Sequence, residues 1–296
     1  MRVTFETLEG RVRVVPARVL VAAVLLAASV GMLGAASSAH AMSALKEEFL
    51  PFADCPVEAA ADCFIAETTS GEFVIDRKTV PIEQTITLQG GLPTTAYTPQ
   101  SVVAAADGNT LSKAPLTVPG GLLGIKGLEA LGGEVTATAE IAGPPSAVVV
   151  SRQALVLRSG AAVTLPIKVK LSNEVLGEEC YVGSDAEPIV LHLTDGSTSP
   201  PSPTQPIQGS ASPLEGRAKG KITHIAKVSL VDNDFAVPAA SGCGGSLSAV
   251  IDLVVDADIG LPSPAGSNTA IMNGSLEETL AEYAAKYKPK PKKVKK

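Results

Sequence analysis

Hydrophobic and polar positions alternate with a period of two along much of the chain. The clearest run is 163–171, where Val163, Leu165, Ile167, Val169 and Leu171 face one way. Thr164, Pro166, Lys168 and Lys170 face the other. Strict alternation of this kind is what a half-buried strand requires. Pro166 predicts an edge position, because proline cannot donate to a ladder. Ile189, Leu191 and Leu193 repeat the pattern, with Val190 and His192 opposite. Val80, Ile82, Gln84, Ile86 and Leu88 share one side of a run that Gly90-Gly91 ends. Segments 64–68 and 72–75 flank Thr69-Ser70-Gly71, which reads as a hairpin turn. Segments 134–141, 146–157, 222–231 and 247–255 bring the total to about eight to eleven strands.

No amphipathic helices separate these runs, so the predicted fold is all-β: an antiparallel sandwich or barrel-like domain with long Pro/Gly-rich loops. The apolar, glycine-punctuated segment 119–133 (PGGLLGIKGLEALGG) reads as a loop or one short helix. Residues 194–221 contain TDGSTSPPSPTQPIQGSASP, a long surface loop by composition. The C-terminus changes character. Ser275 and Glu278 form a capping box, with Leu276, Leu280 and Tyr283 on one helical face. The helix is expected to reach Tyr287, before Pro289 and Pro291 leave an extended lysine tail. Three regions follow: 1–41 as signal peptide, 42–275 as β domain, and 276–296 as helix and tail.

Composition agrees with strands cut by frequent turns. Of 296 residues, 45% are hydrophobic, 3% aromatic and 18% charged, with 27 Gly, 22 Pro and no Trp. This is too apolar for a disordered chain. The length holds one large β domain or two smaller ones. The net charge of −6 hides an uneven layout: residues 42–285 hold 13 basic and 28 acidic side chains, or −15, while seven lysines fall within 286–296. An acidic body with a cationic tail disfavours nucleic-acid phosphates as the main partner.

The first 41 residues read as an export signal. Arg11, Arg13 and Arg18 precede the 18-residue uncharged run 19–36, and Ala39-His40-Ala41 supplies small residues for cleavage before Met42. An uncleaved anchor is the rival, since such a run just spans a bilayer; Gly31, Gly34 and the Ala/Ser-rich end favour cleavage. Cys55, in FADC, is not in a lipobox, and LPTTA at 92–96 lacks the glycine of a sortase motif. No second apolar span follows, so the expected location is secreted or envelope-associated. Cys55, Cys63, Cys180 and Cys243 all follow the signal, and an even count in an exported chain implies disulfides. Four cysteines allow three pairings; proximity favours Cys55–Cys63, leaving Cys180–Cys243. Zinc is the alternative, but there is no C-x2-C pair, and only His192 and His224 follow the signal.

Little in the mature chain points to catalysis. Both histidines fall within strand-like runs and read as sheet-face residues, and no G-x-S-x-G elbow occurs. Glu178-Glu179, Asp232 with Asp234, and Asp252, Asp256 and Asp258 are the carboxylates that glycoside hydrolysis would draw on. Asp232-Asn233-Asp234 and Asp256-Ala257-Asp258 have calcium-like spacing but read as turn-forming residues. GGLLG at 120–124 is spaced wrongly for a dinucleotide fingerprint. No catalytic, cofactor-binding or metal-binding residue and no cofactor is assigned. The tail lysines Lys288, Lys290, Lys292, Lys293, Lys295 and Lys296 are candidate contacts to an anionic envelope polymer or lipid.

Several stretches carry a resemblance: AETTSGEFVI (66–75), VPIEQTITLQGG (80–91), LVDNDFAVPAASGCGG (230–245) and GLPSPAGSNTAIMNGSL (260–276). They resemble an uncharacterised class of secreted actinobacterial proteins with no assigned activity or ligand. The resemblance covers most of 55–276 and implies export and a β-rich fold; it does not reach the lysine tail. The resulting expectation is a non-catalytic secreted or envelope protein acting by binding or structural contact. A carrier of a lipid or small apolar ligand, using Leu122, Leu123, Ile125 and Leu128, is the runner-up. A carboxylate-dependent hydrolase is the third. A closed apolar cavity above about 300 Å³ favours the carrier, acids converging in a cleft favour the enzyme, and a filled core with only shallow surface features favours the non-catalytic reading.

Overall fold

The computed structural model describes residues 42–121 and 133–287. The chain divides into two units, Met1–Glu47 and Glu48–Lys296. Within the first, the described residues 42–47 are helical. The signal region 1–41, most of 119–133 and the tail lysines lie outside the described residues.

The second unit is built on two open antiparallel sheets. The first contains β1 (Asp62–Ile75), β2 (Lys78–Pro81), β3 (Ile86–Leu92), β11 (Ser210–Ala211), β12 (Glu215–Arg217), β13 (Ile222–Asp232) and β15 (Asn268–Leu280). The second contains β4 (Gln100–Ser101), β5 (Pro115–Val118), β6 (Val135–Ile141), β7 (Val149–Val150), β8 (Val163–Ser172), β9 (Tyr181–Val182), β10 (Ile189–Leu193) and β14 (Ala240–Ser241). Among the described residues of this unit, three α-helices accompany them: α1 (Arg152–Leu157), α2 (Ser248–Ile259) and α3 (Ala281–Tyr287).

The all-β sandwich or barrel expected from periodicity is therefore wrong. Neither sheet closes on itself, and helices are part of the fold, making it mixed α/β. Two stretches were misread because β-branched and aliphatic residues suit buried helices as well as strands. In 247–255, Ile251 and Val255 pack inward, and Ile259 follows four residues later: a helical spacing. Gly260 ends α2 in the left-handed conformation at φ 94°, its N–H returning to the Asp256 carbonyl. In 146–157, Ser151 interrupts the strand; its side chain accepts from the Ala154 N–H at 3.1 Å and starts α1.

Other boundaries move for tertiary reasons. Thr69-Ser70-Gly71 is not a hairpin turn but a bulge inside β1, which pairs with β15 from Asp62↔Leu280 to Ile75↔Asn268. Gly71 is needed there, since at φ 122° a Cβ would run into the Ile271 carbonyl. Ser275 belongs to β15, so the C-terminal helix begins at Ala281 instead. The run 80–88 is broken between β2 and β3, where the Ile82 N–H reaches the Gly71 carbonyl at 2.9 Å. Within 194–221 the loop forms the short strands β11 and β12, and Thr194, Asp195 and Thr198 are buried.

Pro166 is interior to its sheet, not at an edge. It pairs with Val190 of β10 on one side, while its carbonyl accepts from the Ala142 N–H on the other. That second side falls between the end of β6 and the start of β7, where a missing N–H leaves no partner unsatisfied.

The alternation itself predicts the core. Val163, Leu165, Ile167 and Leu171 are buried, and Val169 packs against them. From the first sheet Phe64, Val80, Ile86, Leu88 and Met272 enter the same apolar cluster. A second apolar contact lies apart from it, where the Phe49 ring stands 5.0 Å from Tyr287 of α3 and 6.2 Å from Phe52. Disulfides join Cys55 to Cys63 and Cys180 to Cys243.

Candidate functional site

The main apolar core is incompletely filled. A cavity of about 120 Å³ is walled by the inward faces of both sheets and by α2. Its origin is legible in β6, where alternation turns Ala137 and Ala139 inward and Thr136 and Thr138 outward. Two adjacent inward alanines supply too little volume for the neighbouring aliphatic side chains to meet. Apart from backbone, polar groups among the described lining residues come from Lys78, Ser112 and Asp258.

Those polar groups have definite roles. Lys78 opens β2 opposite Ile75, one alternation step before Val80, so its side chain shares their inward face. Its side chain is 10% exposed, and Nζ lies 2.8 Å from Asp258 Oδ2 at the end of α2. Ser112 Oγ accepts from the Thr87 N–H at 2.8 Å. The site is thus an aliphatic hollow with one buried ion pair at its wall.

The carboxylates considered for hydrolysis do not converge. Asp252 accepts from the Cys243 N–H at 2.8 Å, and Asp256 from the Ala240 N–H at 2.7 Å. With Asp258 on Lys78, all three acids of α2 are turned toward the protein. The opposite face is uncharged, exposing Val250, Leu253 and Val254. Asp232 accepts from the N–H groups of His192 (2.6 Å) and Asp234 (2.8 Å). Burial raises the Asp232 pKa, and the two N–H donors oppose that rise. Glu178 is a surface residue paired with Lys170 at 3.3 Å. Among the described residues no group of three His, Cys, Asp or Glu side chains is placed to hold a metal.

His192 is exposed on β10. His224 lies on β13 with Nε2 3.8 Å from Glu277 Oε1, and that carboxylate also pairs with Arg217. The histidine Nδ1 and Glu277 Oε2 are buried without partners. The two histidines are therefore on separate strands with separate surroundings.

One charged cluster escaped the sequence reading. Arg152, the first residue of α1, places Nη2 2.5 Å from Asp62 Oδ2 and also on Glu278 Oε1. Its Nη1 donates to the Ala96 carbonyl at 2.9 Å. Burial raises the pKa of both Asp62 and Glu278, and the guanidinium pulls each back. The cluster ties β1 and β15 of the first sheet to a helix that follows β7 of the second. No local pattern brings these residues together: Arg152 and Asp62 are 90 positions apart, and Glu278 reads locally as the capping-box partner of Ser275. Lys78 did carry a signal: extending the period-two pattern back from Val80 places it inward.

Comparison with protein-family models, with curated proteins and with solved structures finds no match to this chain. Among the described residues no helix is long and apolar enough to cross a membrane.

Proposed function

We propose that the chain acts outside the cytoplasm as a non-catalytic secreted or envelope-associated protein, through binding or structural contact. The observation that carries this reading is that all four cysteines are engaged in disulfides, leaving no free thiol among the described residues. Such bonds persist in oxidising compartments. The non-catalytic part draws support from how the acids are used: on backbone N–H groups, on Lys78 and on Arg152. The cavity of about 120 Å³ is well below the size expected of a site for a whole lipid, so lipid carriage is the weaker reading.

The lysine-rich end at 288–296 is the proposed contact to an anionic envelope polymer or lipid. Each lysine near a charged surface contributes about 1 kcal/mol, screened by salt. The test begins with fractionation of cells making the full chain. Recovery outside the cytoplasm, a mature start at Met42 and a mass lower than the reduced form by four hydrogens are expected; a cytoplasmic, fully reduced protein overturns the reading. For the tail, sedimentation with phosphatidylglycerol vesicles should fall as salt rises and disappear when 288–296 is deleted. Undiminished sedimentation of the deletion variant removes the tail from the proposal.

A further inference from the structure

The cavity's wall holds a donor whose capacity is not used up. An ammonium has three N–H donors, and among the described residues Lys78 Nζ has one partner, the ion-paired Asp258 Oδ2 at 2.8 Å. The remaining donors sit on a side chain nine-tenths buried at the lining of an otherwise aliphatic space. An acceptor supplied from the cavity gives such a donor a charge-assisted hydrogen bond in aliphatic surroundings. The Ser112 hydroxyl adds a second polar group on the same lining; its oxygen already accepts from the Thr87 N–H, and its hydrogen has no partner among the described residues.

The geometry points to a binding site for a small uncharged aliphatic molecule carrying one acceptor oxygen, such as a short ketone or ester, with its oxygen on Lys78 and its chain between the sheets. This deepens the binding reading above and rests on it. Size follows from the volume. An apolar cavity of about 150 Å³ takes up benzene, so about 120 Å³ suits roughly four to five non-hydrogen atoms.

Charge argues for an uncharged ligand. Lys78 and Asp258 are already neutral as a pair, so a carboxylate would bring an unbalanced negative charge beside Asp258 in a low-dielectric space. A ketone oxygen accepts from the free N–H without that penalty. The preference is therefore for acceptor strength without charge, which distinguishes this site from a fatty-acid pocket.

The test uses the full, disulfide-bonded chain and three probes: 2-butanone, propanoate and xenon. Binding is followed by NMR chemical-shift changes of methyl groups lining the cavity. 2-Butanone is expected to bind at least tenfold more tightly than propanoate at neutral pH, and xenon to shift the same methyls. Ala139→Leu, which fills the hollow, should abolish both 2-butanone and xenon responses. Lys78→Met should weaken 2-butanone at least tenfold while leaving xenon unchanged. Propanoate binding equal to or tighter than 2-butanone overturns the proposal, as does 2-butanone binding that survives Ala139→Leu. Should either variant fail to fold, the ranking of probes on the unaltered chain decides. Failure of every probe, xenon included, refutes the site, while location outside the cytoplasm tests the broader reading separately.

Discussion

Replacing Arg152 by methionine keeps the length of the side chain and removes its charge. It leaves the carboxylates of Asp62 and Glu278, which share Nη2 of that guanidinium, buried without their common cation. Removing one member of a buried ion pair destabilises by about 3–5 kcal/mol, chiefly through the uncompensated charge left behind. A further ~1 kcal/mol follows from the lost bond to the Ala96 carbonyl. The pH dependence has a definite sign. Burial raises both pKa values in the folded protein, so between the unfolded values of about 3.9 and 4.3 and the raised ones the native state holds more protons than the unfolded chain. The contribution of these acids is then greatest below the unfolded values and is lost as pH rises through the folded ones. Without Arg152 the folded values rise further, widening the window. Urea unfolding should show the full deficit at pH 7 and a much smaller one near pH 4, with the m-value unchanged. Adding Asp62→Asn and Glu278→Gln should recover most of the loss at pH 7. A deficit below about 1 kcal/mol at pH 7, or one that grows on acidification, would refute the reasoning.

Three further outcomes are expected. Replacing Cys180 and Cys243 by serine should cost about 4 kcal/mol and replacing Cys55 and Cys63 about 2.5, because the loops differ in length (separations 63 and 8); urea midpoints that rank the other way contradict the chain-entropy account. Asp195, fully buried with neither oxygen hydrogen-bonded and Arg158 Nε 3.8 Å away, has its pKa raised by burial. Asp195→Asn should therefore gain about 1 kcal/mol at pH 7 and little near pH 3, where the carboxyl is mostly protonated in both states; a loss of equal size at both pH values would argue against it. Phe49→Ala removes the ring facing Tyr287 and should speed amide exchange across 281–287 while leaving β8 protected; uniform acceleration in both places would mean that this contact and the main core open together.

Alternation determined a good deal of this protein without help. The inward face of 163–171, the strand at 189–193 with His192 outward, and the aliphatic character of the interior are written in a period of two, because a pleated strand turns successive side chains to opposite faces. Pairing of the nearest cysteines was likewise legible, since a separation of eight residues leaves little other choice for the remaining two. Tertiary structure decided what pattern leaves degenerate. Aliphatic residues at 247–255 fit a strand or a buried helix equally well locally, and the helix is the form in which Asp252 and Asp256 reach the N–H groups of Cys243 and Ala240. The bulge at Thr69, the extension of β15 through Ser275, and the meeting of Arg152 with Asp62 and Glu278 depend on partners far away in the chain. The cavity belongs to both levels: β6 supplies inward alanines by sequence, but only the opposing sheet, arriving with Phe73, Ile75 and Lys78, decides that the space they leave stays open and that a lysine joins its lining.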